Sequence, residues 1–438
     1  MVERKVTMTQ CKITLALSAI LMVSCNGGSG SSSSGSNTGD SASAYSTGYV
    51  MPNAMPGWVK GSGSHSSSSG SNTGDSASAY STGYVMLDAV PGWVDGTYYM
   101  VQLEGSSTNI FKLTGAGAVL ITSKSKGESN YGANGGAAFF ASGLVVYSAY
   151  EYSTSYRTDF GTLVLNANGV SAYISNTLVK GYDWDGSVSI RDSTALLFRR
   201  NLNNIVTNNF DLLLNVVGPD ITIESNADNG QMDNPVGTHV TSNMAAVLYD
   251  EMVLLEPKEH NYRVTFFSVS DGAKLSRVLF HSDSPDSAYA GSTAVHSNGR
   301  YLAVAISANN LSAYGDASGK GILIGIFDSN RQLVSKFIAN ANQTLGDQLS
   351  PRIYITQTNK VLVAFESWPN PPADIFLYAI DGTLLDQANL EEGGHGRSVS
   401  FGSGPSGSVL ASYFDGITKL VRLDVSGGSI AKVRLFER

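Results

Sequence analysis

From about residue 97 to the C-terminus one short pattern returns seven times. It is a β-rich apolar run, a tight turn built on Gly, Asn or Asp, and a second β-rich run. The first runs are 110–113 before Gly117, 163–165 before Asn168-Gly169, and 212–214 before Gly218. They continue as 264–267 before Asp271-Gly272, 322–327 before Asp328-Ser329-Asn330, 375–378 before Asp381-Gly382, and 420–423 before Gly427-Gly428. Asp-Gly and Asn-Gly are strong hairpin signals, because such turns need positive φ. No stretch holds a helical apolar period over more than about three turns.

The turns fall roughly 45–58 residues apart, and most hairpins follow another apolar run. Those runs are 144–147, 195–198, 245–248, 301–305, 361–365 and 409–413. Several have a further strand and polar turn ahead of them, as in 350–355 before Thr358-Asn359-Lys360. Each unit then holds about four antiparallel strands in about 49 residues, and radial repetition of such units is a β-propeller. The expected fold is all-β, a propeller of seven four-stranded blades after a disordered N-terminal tether. The chain resembles bacterial propeller proteins as a class, without the Trp-Asp signature of one large propeller family. A pair of β-sandwiches or a β-helix is the alternative. The last strand is expected at 429–435, closing the ring against the first unit or pairing within the last.

The N-terminus carries a different message. Arg4, Lys5 and Lys12 precede an apolar run, 13–24, that ends at Cys25. A basic start, a short apolar core and small residues before a cut describe a secretory signal, too short to span a bilayer. The cysteine after Val23-Ser24 resembles the bacterial lipoprotein signal, with Met22 where that pattern usually has Leu. The resemblance implies that residues 1–24 are removed and that Cys25 is acylated, with palmitate or a similar chain, as the first mature residue. Asn26 stands where some bacteria read Asp as an inner-membrane retention signal, which implies the outer membrane. An ordinary signal peptide with an unrelated cysteine is the alternative.

Residues 25–85 read as a Ser/Gly-rich flexible linker, and 86–438 as the propeller domain. The linker contains a duplication: residues 31–51 recur unchanged at 66–86, a period of 35 residues. Two Ser/Gly-rich units cannot bury a shared core as a solenoid does. About sixty such residues reach about 40–45 Å. The second copy runs into the domain, where Trp93 is expected to pack. The first, with Trp58, reads as an unused duplicate, or else both aromatic patches bind something.

Charge and cysteine usage limit the functions. The net charge is −8, so nucleic acid and anionic surfaces are not expected partners. Of the two cysteines, Cys11 leaves with the signal and Cys25 carries lipid. The mature fold is therefore expected to have neither a disulfide nor a thiolate metal site. The only membrane attachment expected is the lipid anchor.

Three catalytic strings are absent: Gly-x-Ser-x-Gly, His-Glu-x-x-His and Cys-x-x-Cys. No cofactor or metal is expected. His239, His296 and His395 each fall near the start of a blade's innermost strand, so they are the candidates for an axial pocket. Isolated turn or surface histidines are the simpler alternative. Asp347, Glu366, Asp374, Glu391 and Glu392 are candidate glycosidase carboxylates only if pairs of them meet. Trp368 opens a Pro-rich hairpin loop, 368–372, that is a candidate contact site. Together these features suggest a lipid-anchored envelope protein whose propeller holds a protein or glycan partner. The alternative is a periplasmic or surface lyase or glycoside hydrolase with its site at the propeller axis.

Overall fold

The computed structural model describes residues 48–49, 89–94, 96–104, 107–114, 117–125, 137–139, 144–151, 157–166, 169–180, 186–191, 194–201, 204–211, 218–225, 230–253, 259–281, 293–309, 320–339, 349–367, 374–390, 397–414 and 418–437. These residues form seven antiparallel sheets, six of four strands and one of five. Each sheet takes four consecutive strands of the chain in order. The first strands, from sheet one to sheet seven, are Ala89–Val94, Ala137–Phe139, Gly186–Arg191, Gly230–Thr241, Thr293–Ser297, Leu349–Ile355 and Arg397–Ser403. Each lies against the first strand of the next sheet, and Arg397–Ser403 lies against Ala89–Val94. This closed circuit places the first strands innermost and makes the domain a β-propeller. The fifth strand of sheet five is Gly48–Tyr49, inside the segment read from sequence as linker.

The apolar runs named from sequence are the second strands. They include Leu144–Glu151, Thr194–Asn201, Met244–Val253, Tyr301–Asn309, Lys360–Ser367 and Val409–Phe414. They read as continuous rather than alternating because each sheet is covered on both faces. Sheet five makes the point. Leu302, Val304 and Ile306 pack with Val236, Val240 and Phe266 of sheet four. Ala303 and Ala305, which alternate with them, pack with Ile353, Val361 and Val363 of sheet six. Large residues face one neighbour and small ones the other, so the sheets wedge together. The outermost strands are open, with Leu333, Val334, Leu384 and Val433 exposed.

Closure is carried by side chains at both ends of the domain. Met100, Phe111 and Leu113 of sheet one share a cluster with Leu410, Leu420 and Phe436 of sheet seven. The final strand runs Ala431–Glu437 and pairs with Thr418–Asp424 within the last sheet. Its buried anchor is Phe436, just beyond the expected span of 429–435, whereas Val433 is 45% exposed. A second shift concerns unit three. Its hairpin strand is Asn204–Asp211, paired with Ile221–Ser225, while 212–214 lies outside the described residues. Polar Asn208 and Asn209 interrupt the apolar pattern of that strand.

The hairpin turns behave as their residues dictate. Asp271, Asp381 and Asp424 each accept the backbone N–H two residues on, at 3.0–3.1 Å. These bonds hold the three carboxyls below the usual carboxylate range. Gly272 has φ +72°, and a Cβ there would sit 1.8 Å from Ile221 Cγ2 of sheet three. Gly272→Ala is expected to cost about 1–2 kcal/mol from the left-handed backbone alone, and more from the clash. A denaturant midpoint equal to that of the parent would show that the turn rearranges freely.

Candidate functional site: the innermost strands

A first strand in this fold has one face toward each neighbouring sheet. A polar residue there must find its hydrogen bond across a joint, or it stays buried at a cost of about 1–3 kcal/mol. The structure solves this by bonds across three of the joints, between sheets three and four, five and six, and six and seven. His239 lies on Gly230–Thr241 and is 3% exposed. Its backbone N–H donates to Ser189 Oγ of sheet three at 2.8 Å. The Ser189 hydroxyl in turn lies 2.9 Å from His239 Nδ1. The Ser189 hydroxyl, with one donor and two acceptor positions, can serve both the backbone N–H and the ring nitrogen of His239.

His296 lies on Thr293–Ser297 and is fully buried. Its Nδ1 accepts the backbone N–H of Ile355 in sheet six at 3.0 Å. Its ring stacks on Tyr354 with centroids 4.2 Å apart. Burial pulls its pKa down to about 3, so the imidazole is neutral, as its acceptor role requires. Tyr354 continues outward, its hydroxyl 3.0 Å from Ser403 Oγ of sheet seven. Arg352 on Leu349–Ile355 is likewise buried. It donates through Nε to the Val399 carbonyl of sheet seven at 3.1 Å.

Two of the three expected axial histidines thus sit on innermost strands, and they serve different joints. His239 is held by the sheet before it, His296 by the sheet after it. His395 lies outside the described residues, as do Cys25, Trp368, Asp347, Glu391 and Glu392. Asp374 is buried and accepts Gln387 Nε2 at 3.2 Å, which is a bond within its own sheet. Among the described residues no group of three His, Cys, Asp or Glu is placed to hold a metal ion. A further ionic joint lies farther out. Glu224 of sheet three, 4% exposed, accepts Thr265 Oγ1 at 2.9 Å and Lys274 Nζ at 2.7 Å from sheet four.

The sequence reading missed Ser189, Arg352, Tyr354 and Glu224. The available signal was a polar residue between apolar ones on a first strand, as Ser189 stands between Val188 and Ile190.

No family model and no curated protein matches this chain. Solved structures do. A prolyl oligopeptidase B from Galerina marginata is similar over 81% of this chain at 12% identity, with a TM-score of 0.46, and this chain spans 51% of that one. The Dos1 propeller is similar over 81% of this chain and 86% of its own at 10% identity, TM-score 0.45. An α-L-arabinofuranosidase from Fusarium graminearum covers 69% of this chain and 92% of its own at 13% identity, TM-score 0.36. At these identities the likeness concerns fold and does not carry over what those proteins cut or bind.

Proposed function

We propose that this chain is a lipid-anchored binding or scaffold protein of the bacterial cell envelope, held at the outer membrane, whose propeller carries a protein or glycan partner. The observation that carries it is the order of parts: a basic and apolar leader ending at Cys25, a Ser/Gly-rich duplication, then a propeller. His239 and His296 also support it, since both are engaged in joints between sheets. A lyase or glycoside hydrolase acting at the axis is the second reading, favoured by the placement of those same histidines on innermost strands.

Fractionation of cells expressing the full chain or Cys25→Ala tests the anchor. The wild type should stay with membranes through a high-salt wash, and the variant should move to the soluble fraction. Several acyl chains on one cysteine hold firmly at about 0.8 kcal/mol per buried methylene. A variant that still sediments would refute the anchor. Crosslinking in intact cells then separates the two readings of the domain. A stoichiometric partner that is lost with Cys25→Ala supports binding, whereas glycan turnover abolished by His296→Asn supports the enzyme.

A further inference from the structure

The propeller's opening is not lined by sheet edges alone. Gly48–Tyr49 lies on the inner edge of sheet five, antiparallel to its first strand, with Gly48 opposite Val295 and Tyr49 opposite Ala294. It also lies close to Gly186–Arg191 and Gly230–Thr241, the first strands of sheets three and four. An innermost strand has one ladder of N–H and C=O groups paired to its own sheet and a second ladder facing the axis. That second ladder is an open template for any extended chain. Among the described residues only sheet five has it covered.

We propose that this edge is a strand-binding site for an extended, uncharged peptide, and that the first copy of the duplication is its resident ligand. The residues around the pairing, Ser46-Thr47-Gly48-Tyr49-Val50-Met51, carry no charge. They recur unchanged at 81–86, yet geometry separates the copies. Sheets packed about 10 Å apart in a ring of seven leave a ring of innermost strands about 23 Å across. Sheet five stands across that ring from sheet one, where the domain's first strand begins at Ala89. From Tyr84 to Ala89 a fully extended chain spans at most about 17 Å, with no slack for the crossing. From Tyr49 there are about forty residues, with a typical reach of about 35 Å. The duplication therefore supplies a copy that can reach the edge. A lead of that length holds the copy at an effective concentration on the order of millimolar. An outside peptide must bind correspondingly better to displace it, so the contact acts as a built-in competitor at the axis. This inference stands apart from the lipid anchor and the identity of the partner.

Hydrogen exchange on the full mature chain tests it with two variants, Tyr49→Pro and its twin Tyr84→Pro. Proline removes the backbone donor and breaks strand pairing. Tyr49→Pro should speed exchange at least tenfold for the axis-facing amide of the paired residues Ala294 and Val295, and leave 360–367 of sheet six unchanged. Tyr84→Pro should change neither segment. Deletion of 46–51 should reproduce Tyr49→Pro. Unchanged exchange at 293–297 in Tyr49→Pro, or an equal effect of Tyr84→Pro, would overturn the proposal.

Discussion

Gly402→Val should open the ring between sheets one and seven. A Cβ at Gly402 would lie 2.1 Å from the Pro91 carbonyl oxygen and 3.1 Å from its carbon. Both are backbone atoms, so no rotamer change relieves the clash. Valine adds two methyl groups to the same gap. Overpacking of this kind costs about 1–3 kcal/mol or more, and a loss of about 3 kcal/mol lowers the melting temperature of a domain of about 350 residues by about 4 °C. The damage falls where it spreads. Parting the two sheets uncovers the apolar side chains of Met100, Phe111, Leu410, Leu420 and Phe436, so aggregation should accompany the lower melting temperature. Gly427→Ala is the matched control, because a Cβ there meets nothing within 4 Å. Thermal melts and size-exclusion profiles of the two variants check this. Equal melting temperatures would mean that sheets one and seven do not meet as described.

Acid should weaken the joint between sheets five and six through His296. Its folded pKa is lowered to about 3 from an ordinary 6.5. The unfolded chain therefore takes up a proton near pH 6.5 that the folded chain refuses until about pH 3. Stability is full above pH 6.5 and is lost as pH falls, by about 1.4 kcal/mol per unit. Between pH 6.5 and 4.5 that amounts to about 2–3 kcal/mol. His296→Asn keeps an acceptor for the Ile355 N–H and cannot titrate. The difference in unfolding free energy between those two pH values should shrink by about 2–3 kcal/mol in the variant. The turn carboxylates Asp271, Asp381 and Asp424, whose pKa values are also lowered, lose their contribution only as pH falls below about 3.8. They are common to both chains and outside this window. Equal acid sensitivity of both chains would show that the imidazole is not held neutral.

The fold was legible because the joints repeat. Asp271-Gly272 and Asp381-Gly382 announce hairpins through their need for positive φ, and both glycines have it, at +72° and +90°. Runs such as 301–305 and 361–365 announce second strands, because a sheet covered on both faces has no polar side to show. Unit three was harder to place, since Asn208 and Asn209 break its apolar run. The site was legible in position and not in partnership. That His239 and His296 fall on innermost strands followed from spacing, although both lie near the ends of those strands rather than near their starts. That one bonds backward to Ser189 and the other forward to Ile355 depends on contacts 50 and 59 residues apart, which no local pattern encodes. The pairing of Gly48 with Val295 was hidden for the same reason, and by a Ser/Gly composition that reads as linker.

The central claim is a propeller held to the envelope through an acylated Cys25, and intact-mass spectrometry of the protein extracted from membranes tests it most directly. The account predicts the mass of residues 25–438 increased by that of the attached acyl chains, with the added mass confined to the N-terminal peptide after proteolysis. A chain that begins elsewhere, or one that begins at Cys25 with no added mass, would contradict it.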